Sequence, residues 1–382
     1  MFSWGIMRQF RMNSFGNEPG YRANAWSTAE IFYNEPECQG IRATNDSRGK
    51  ERIRFKIRVR VVLAYDGIKN KFPFLYEVYL CVKSRRQLSQ NMANTKRIHA
   101  MTKKELEAYD AALYQEWTGK ILNWDDLQTF TEKMQWAKLY DDDPRKVVCA
   151  DKIEVRTWVA DRIGEEYLIP LIGTWDRYSD IDFSALPEQF AMKTNHGSGD
   201  VVVVQSKSRM SVTDKIDMRR KIETALKMDF GAYLCEMHYS KITPRILAEQ
   251  YLVSEEGDLR DYKFQCFDGV VKYCYVDFDR FHQHKRNVYD LDWNLQDWNT
   301  VEYENYSGTI EKPANFEKMI AIAEKLSAGF SQVRVDLYNL HGRIYFGEMT
   351  FTSASGFRTF SSREADLMLG SMWNLPMDKS DS

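Results

Sequence analysis

Two kinds of hydrophobic spacing follow one another along most of the chain. Apolar residues at every third or fourth position predict helices, and this spacing covers Lys103–Trp117, a segment that ends at Leu139 after a cap at Asn123–Asp126, Asp151–Gly164, Ser211–Lys227 and Ala314–Ala328. Short runs of β-branched and aromatic residues predict strands, and they cover Phe190–Thr194, Val201–Gln205, Ile246–Val253, Tyr262–Phe267, Val270–Asp277, Gln332–Tyr338 and Arg343–Glu348. Helices and strands mix without a steady strand–helix–strand rhythm, so the sequence predicts an α+β fold.

Residues 1–100 have a different character. Charged and apolar residues alternate over Arg52–Leu63, which predicts a half-buried strand, with Phe72–Val82 as its hairpin partner. The segment carries 18 Lys and Arg against 8 Asp and Glu. A basic front end suits an acidic membrane surface, but a loosely ordered basic tail is the simpler interpretation. We assign this segment as an extension of unknown role.

Composition restricts the class of protein. The length of 382 residues suggests two or three domains, and the net charge of -2 gives no reason to expect a nucleic-acid partner. Six scattered Cys without a C-x-x-C pair fit a reducing cytosol. The first residues lack the apolar core of a signal peptide, and no stretch has the length of a membrane span. We therefore expect a cytoplasmic protein, or one that touches the inner face of the membrane.

A glycine-rich loop separates two predicted strands. The first strand carries Lys193, the loop is Asn195–Gly199, and Val201–Val204 follow. Glycines allow a tight turn that brings backbone N–H groups close to an anion, and a preceding Lys can reach a phosphate. The residue order is not that of a P-loop. We interpret the segment as a hairpin lid over phosphates, with an ordinary tight hairpin as the alternative.

Two acids lie on the last predicted pair of strands. Asp336 and Glu348 flank a short turn, so antiparallel pairing would place them face to face. A shared Mg²⁺ relieves the repulsion between close carboxylates, and Mg²⁺ commonly takes one or two of them plus substrate phosphates. Arg334 lies two residues before Asp336 on the same strand face, where it can stabilise an oxyanion. The alternative is a structural ion pair.

Two other groups of polar residues give weaker signals. Glu249 and Gln250 end a predicted strand and can recognise an adenine edge, while Lys263 offers another cation to phosphates. The Arg- and His-rich segment Asp279–Arg286, which includes Arg280, is interpreted as a mobile loop that closes over substrate phosphates. Each group also suits an ordinary solvated surface.

In this order, these pieces resemble the ATP-grasp superfamily, and more closely its TupA-like branch of teichuronopeptide and surface-polysaccharide biosynthesis proteins. The resemblance covers residues 105–376. The stretches that carry it are Glu132–Tyr140, Ala150–Lys152 with Val155-Arg156, Gly164–Leu171, Leu186-Pro187 through the glycine loop, Asp261–Phe264, Arg334–Tyr338 and Phe346–Thr352.

The resemblance implies a fold, the ATP-grasp fold, and a set of roles. Two α+β subdomains would grip ATP between antiparallel sheets, and Mg²⁺ or Mn²⁺ would be the cofactor. The ATP-binding residues that it implies are Lys152, Lys193, Asn195, His196, Gly197, Ser198, Gly199, Glu249, Gln250, Tyr251 and Lys263. It implies Asp336, Glu348 and Thr350 as metal ligands, Arg334 and Lys193 as catalytic residues, and Ser355, Gly356 and Arg280 as substrate contacts. Related ligases carry Asn where this chain has Thr350, which leaves the number of metal ions open.

The resemblance also implies segments and chemistry. The segments are an extension at 1–100, a helical part at 101–185, a lid subdomain at 186–260, a metal-binding subdomain at 261–376 and a tail at 377–382. The chemistry is ATP-dependent joining of a carboxylate to an amine through an acyl phosphate, with sugar- or amino-acid-derived substrates, during polysaccharide synthesis.

Three alternatives remain open at this stage. A glycosyltransferase is suggested by the D-x-D patterns Asp277-Phe278-Asp279 and Asp290-Leu291-Asp292, which can hold a divalent ion. An ATP-dependent kinase would use the same nucleotide site. A nucleotide-binding module without catalysis is the third, and Arg334 argues against it, because a pure binder has little use for an oxyanion-stabilising Arg.

Overall fold

A computed structural model describes residues 73–252, 259–278 and 284–375. The chain divides into two compact units, Met1–Tyr79 and Leu80–Ser382. Of the first unit, only the helical residues 73–79 are described. The predicted strand Arg52–Leu63 lies outside the described residues. Apart from residues 73–79, all described residues belong to the second unit.

The described residues form helices and strands in mixed order. The helices are α1 Pro73–His99, α2 Lys103–Thr118, α3 Phe130–Tyr140, α4 Arg145–Ala150, α5 Val155–Ile163, α6 Val212–Ala225, α7 Met237–Ser240, α8 Phe316–Ser327 and α9 Arg363–Ser371. The strands are β1 Leu171–Trp175, β2 Phe190–Thr194, β3 Val202–Val204, β4 Ile246–Gln250, β5 Asp261–Phe267, β6 Val270–Phe278, β7 Lys285–Tyr289, β8 Gln332–Leu340 and β9 Arg343–Thr350. The predicted α+β class is confirmed.

The smaller sheet has four antiparallel strands in the order β1-β4-β2-β3. Side chains alternate across β2, so Phe190 and Met192 pack with the α6 residues Met218 and Ile222 in one core. Lys193 therefore lies on the other face of this sheet. Helix α6 begins at the N-cap Ser211, whose hydroxyl accepts from the backbone of Asp214 in a capping box.

The larger sheet has five antiparallel strands in the order β7-β6-β5-β8-β9. On β5, Tyr262 and Phe264 belong to a core that includes Phe316 and Met319 of α8, so the alternate residues Lys263 and Gln265 lie on the opposite face. The same alternation on β8 buries Val333, Val335 and Leu337 in the core. It places Arg334 and Asp336 beside Lys263. One face of the sheet is thus apolar, and the other carries the charged residues.

A β-bulge interrupts the pairing of β8 with β9 after Asp336. The extra residue is Gly347, where an added Cβ would lie 3.0 Å from the carbonyl oxygen of Asp336. Only glycine fits this close approach without a shift of the neighbouring strand. The bulge keeps Asp336 opposite Glu348 while the remaining register is offset by one residue.

The structure corrects several predicted elements. Phe72–Val82 is not a strand, because residues 73–99 form one helix. The helix that ends near Leu139 is capped at Thr129 and not at Asn123–Asp126. Strands β1 and β7 were not predicted, since neither has a clear alternating pattern. Within the described residues, no helix combines the length and apolar character needed to cross a bilayer.

Candidate functional site

Lys152 is held against the glycine-rich loop. It follows α4, and its backbone N–H donates to the carbonyl of Asn195 at 3.1 Å. Its ammonium donates to the carbonyl of Gly197 at 2.6 Å. Burial lowers the pKa of Lys152, and the charges of Glu348 and Asp200 oppose that shift. The structure therefore brings together the loop and the first of the two predicted phosphate-binding lysines.

The two residues that start the loop have structural partners. Asn195 donates to Asp151 at 2.8 Å and accepts from the backbone of Arg245 at 2.6 Å. His196 donates to the carbonyl of Met228 at 3.1 Å. Both side chains are buried. They anchor the loop, so any contact with a nucleotide would come from the backbone and from Ser198 and Gly199 at the exposed tip.

Lys193 points from β2 toward a carboxylate on the neighbouring strand. Its ammonium lies 2.6 Å from Glu249 on β4. The other oxygen of Glu249 accepts from Arg156 at 3.0 Å. Both oxygens of this carboxylate are engaged by cations, so the Glu249 side chain orients Lys193. We expect adenine recognition to fall to the backbone near Gln250 and Tyr251, and residues 253–258 that follow lie outside the described residues.

A cluster of charges occupies the polar face of the larger sheet. Arg334 donates to the two oxygens of Asp336 at 2.6 and 2.7 Å, to Glu348 at 2.9 Å and to Thr350 at 3.1 Å. Lys263 donates to Asp336 at 2.7 Å and also contacts Asp261. The predicted pairing of Asp336 with Glu348 appears in the strand register. Lys263, predicted on the phosphate side, lies among these carboxylates.

The two halves of the predicted site influence each other electrostatically. Partial burial opposes ionisation of Glu348, but the charges of Arg334, Lys263 and Lys152 lower its pKa to about 2. Lys152 in turn responds to the charge of Lys193. Charges interact this strongly only at short range or across a poorly screened space. A common cleft for the two lysines and the Asp336–Glu348 pair stays a prediction.

The donor set suits a hard cation. Within the described ranges, no three His, Cys, Asp or Glu side chains form a ligand group. Two carboxylates and one hydroxyl remain, with Thr350 Oγ1 at 3.1 Å from Glu348. The side chain of Glu348 is 45% exposed, so its carboxylate is accessible to an ion from solvent. Mg²⁺ prefers such oxygen ligands and completes its shell with phosphate and water, so the donor types suit the predicted ion. Glu348 is the accessible carboxylate, whereas both oxygens of Asp336 already accept from Arg334 and Lys263.

Of the three predicted substrate residues, the structure describes Ser355 and Gly356. Ser355 and Gly356 follow β9 in a turn whose backbone is left-handed, with φ of 56° and 71°. At Gly356, an added Cβ would lie 2.3 Å from the amide nitrogen of Gln135, so the turn packs tightly on α3. Arg280 lies outside the described residues.

Neither D-x-D pattern presents two free acids. Asp277 is buried and accepts a pair of hydrogen bonds from Arg286 at 2.5 and 2.8 Å. These bonds and the charge of Arg286 hold the pKa of Asp277 well below its usual range, against the effect of burial. Asp290 caps a turn by accepting from Asn294 at 2.7 and 2.9 Å. Asp279 lies outside the described residues.

The sequence interpretation assigned no role to Arg156 and Asp261. Arg156 lies on α5 and completes the Lys193–Glu249 interaction. Asp261 starts β5 two residues before Lys263, so the two side chains lie on the same face of the strand. The alternation of side chains along a strand could therefore have identified Asp261 from the sequence. Arg156 gives no comparable signal, because its partner Glu249 is 93 positions away in sequence.

The family described as TupA-like ATPgrasp matches residues 132–374. None of the curated proteins compared with the chain matches it. Among solved structures, the D-alanine–D-alanine ligase of Bacillus anthracis complexed with ATP is 16% identical, with a TM-score of 0.32 and coverage of 53% of this chain and 54% of that chain.

Two other solved structures are similar to the chain. N5-carboxyaminoimidazole synthetase from Staphylococcus aureus complexed with ADP is 13% identical, with a TM-score of 0.36 and coverage of 60% of this chain and 53% of that one. L-amino acid ligase from Bacillus licheniformis is 13% identical, with a TM-score of 0.37 and coverage of 59% and 49%. The chain spans about half the length of these proteins.

The predicted ATP-grasp fold is confirmed by the family match and agrees with the two antiparallel sheets. The match covers more than half of the 382 residues. This chain belongs to the TupA-like ATP-grasp family.

Proposed function

We propose that this protein is an ATP-dependent ligase that joins a carboxylate to an amine through an acyl phosphate. The observation that carries the proposal is the position of Arg334. Its guanidinium contacts both Asp336 and Glu348, while Nη1 extends to Ser353 at 2.5 Å. A cation fixed beside the candidate metal ligands suits the charge that develops on a carbonyl oxygen during acyl transfer.

The first step would activate the carboxylate. One carboxylate oxygen attacks the γ-phosphorus of ATP, the bond from that phosphorus to the bridging oxygen breaks, and ADP leaves. Lys152 and Lys193 are the residues that we assign to the phosphates. Asp336 and Glu348 would hold Mg²⁺, which supplies positive charge to the phosphate oxygens.

The second step would form the amide. The amine nitrogen attacks the carbonyl carbon of the acyl phosphate, Arg334 stabilises the oxyanion, and phosphate departs with the proton that the amine loses. An acyl phosphate also reacts with water, so the site must exclude water during this step. Lys152 binds the loop backbone at Gly197. This contact supports a role of the loop as the cover.

The biological setting belongs to the same proposal. We infer from the family that the ligation serves synthesis or decoration of a surface polysaccharide, with substrates derived from sugars or amino acids. A cytoplasmic location at the inner face of the membrane fits this role. The 18 Lys and Arg against 8 Asp and Glu in residues 1–100 support an attraction to anionic lipid.

Nucleotide profiling with candidate acceptors tests the proposal. We expect ADP and free phosphate to appear together, and only when both a carboxylate and an amine are present. ADP without free phosphate would indicate a kinase, and UDP release from a UDP-sugar would indicate a glycosyltransferase. The Arg334→Lys variant should bind ATP normally and turn over slowly, because Lys cannot reproduce the forked contacts of Arg.

A further inference from the structure

A small cavity lies beside Arg334 on the charged face of the larger sheet. Its volume is about 30 Å³, which is room for roughly two water molecules or one carboxylate group. The polar residues that line it are Thr131, Lys263, Gln265, Tyr275, Arg286, Thr300, Arg334, Ser353 and Arg358. Four of these nine side chains are cationic and the other five are neutral, so the lining suits an anion.

Three of the four cations are neutralised by the protein itself. Arg334 and Lys263 contact Asp336, and Arg286 is paired with Asp277. Arg358 differs from them, because no carboxylate of the described residues lies within 4.0 Å of it. It donates to the neutral hydroxyl of Tyr303 at 3.1 Å. Arg358 is therefore the one cation of the cavity that no described carboxylate contacts directly, although the carboxylates around its neighbours balance the total charge.

Two buried polar groups in the cavity also lack partners. Gln265 and Thr300 are only 2% and 3% exposed. The amide nitrogen of Gln265 and the hydroxyl of Thr300 form no hydrogen bond with any described residue. Buried polar atoms are nearly always hydrogen-bonded in folded proteins. Both groups can donate to an anion, as Arg358 can.

The ring and hydroxyl of Tyr303 hold the Arg358 side chain in place. The guanidinium of Arg358 lies 5.2 Å from the centroid of the Tyr303 ring, and that of Arg286 lies 4.3 Å from the same centroid. Burial and the charges of Arg286 and Arg334 lower the pKa of Arg358. A bound anion would relieve this repulsion between like charges.

We propose that this cavity binds a carboxylate that anchors the amine substrate, so that the amine is supplied by an amino acid. The inference rests on the ligase function proposed above. A carboxylate enclosed by Arg358, Gln265 and Thr300 has its lone pairs occupied by donors and is a poor nucleophile toward phosphorus. It therefore serves as a handle, while the amine on the same molecule is free to react near Arg334.

Binding of ¹³C-labelled acetate to the full-length protein, followed by NMR, tests the cavity directly. We expect saturable binding by the wild type, roughly tenfold weaker binding by Arg358→Lys, and loss of binding by Arg358→Met. Arg343→Met changes an exposed Arg on β9 and is the matched control. Equal acetate affinity in the wild type and in folded Arg358→Met would overturn the proposal. Thermal denaturation verifies that each variant is folded, and Gln265→Leu gives a second test if Arg358→Met is not.

Two additional measurements separate an anchoring carboxylate from a reacting one. Glycine should displace the acetate, whereas glycinamide, which lacks the carboxylate, should not. With ATP and hydroxylamine present, no acetohydroxamate should form, and its Arg358-dependent formation would show that the cavity holds the activated acid instead. ATP affinity is measured separately. Failure to bind ATP would contradict the ligase proposal, but it would leave the acetate-binding result unaffected.

Discussion

The ammonium of Lys193 lies 2.6 Å from one oxygen of Glu249, and Arg156 occupies the other oxygen at 3.0 Å. This pairing joins β2 to β4 across the face of the smaller sheet that faces away from α6. It holds a long, flexible side chain in one orientation before any nucleotide arrives. A preorganised cation loses less conformational entropy on binding a phosphate.

Replacement of Lys193 tests its role at the phosphates. We expect Lys193→Ala to weaken ATP binding about 30-fold, because a charge-assisted contact contributes about 2 kcal/mol. The control is Lys215→Ala on the exposed side of α6, which should leave affinity unchanged. Isothermal titration calorimetry with Mg·ATP measures both. Unchanged affinity in the Lys193 variant would remove the glycine-loop assignment.

Glu348 allows a cleaner test of metal binding than Asp336. Asp336 is 2% exposed and contacts both Arg334 and Lys263, so Asp336→Asn leaves buried cations uncompensated and should destabilise the fold by about 3–5 kcal/mol. The Glu348→Gln variant should remain folded, bind nucleotide weakly and lose turnover, with a higher requirement for Mg²⁺. Glu317→Gln, at a side chain that is 77% exposed, is the control. A normal Mg²⁺ dependence in Glu348→Gln would exclude Glu348 as a ligand.

His238 should make stability depend on pH. Burial lowers its pKa in the folded protein from 6.5 to about 3. Between these values the unfolded chain binds more protons than the folded chain, so stability rises with pH up to about 6.5 and then levels off. Urea denaturation of His238→Phe from pH 4.5 to 7 should give a weaker dependence on pH, by up to one proton. If both proteins show the same slope, His238 is protonated in the folded state.

The end of α1 contributes to the second compact unit. Asn91 donates to the carbonyl of Asp229 at 2.8 Å and accepts from the backbone N–H of the same residue at 2.9 Å. We expect Asn91→Leu to lower the unfolding free energy by about 1–3 kcal/mol, since it leaves part-buried backbone groups unpaired. Differential scanning calorimetry measures the change. Asn94→Leu, at a partly exposed position on the same helix, is the control.

The same contacts set the limits of a truncation. Removal of residues 1–72 should leave ATP affinity intact. Removal of residues 1–100 deletes Asn91 and the fully buried Ile98 and should destabilise the protein. Limited proteolysis of both truncated proteins distinguishes these outcomes. A stable 1–100 deletion would mean that α1 contributes nothing to the fold.

Local sequence patterns were enough to predict the strands that carry the candidate metal ligands. The alternation in Arg334–Leu337 fixes which residues share a face, and the short turn to β9 fixes their partner strand, so the pairing of Asp336 with Glu348 was predictable. Thr129 was missed as the N-cap because a competing polar group at Asn123–Asp126 gives a similar signal. The strand assigned to Phe72–Val82 was wrong because a short alternating window fits a helix as well.

Contacts between distant segments could not be predicted in the same way. Glu249 is held by Arg156 on α5, and Arg286 pairs with Asp277 on the neighbouring strand. A charged residue near a strand end has many candidate partners, and only tertiary packing selects among them. The sequence therefore indicated which residues carry charge on the site, but not that Glu249 and Asp277 are already neutralised.

The bulge at Gly347 divides the β8–β9 pair into two parts: the part that holds Asp336 opposite Glu348, and the part that leads to the turn. Evolution can alter the second part independently of the first. Insertion or loss of one residue within the turn between β8 and β9 leaves Asp336 opposite Glu348 when the turn takes up the change, because this pair lies on the other side of the bulge from the turn. The same change between Arg334 and Asp336 would turn one of them toward α8 and replace it with an apolar neighbour. We therefore expect related sequences to vary in the length of this hairpin only between Gly347 and the turn, and not beside Asp336 and Glu348.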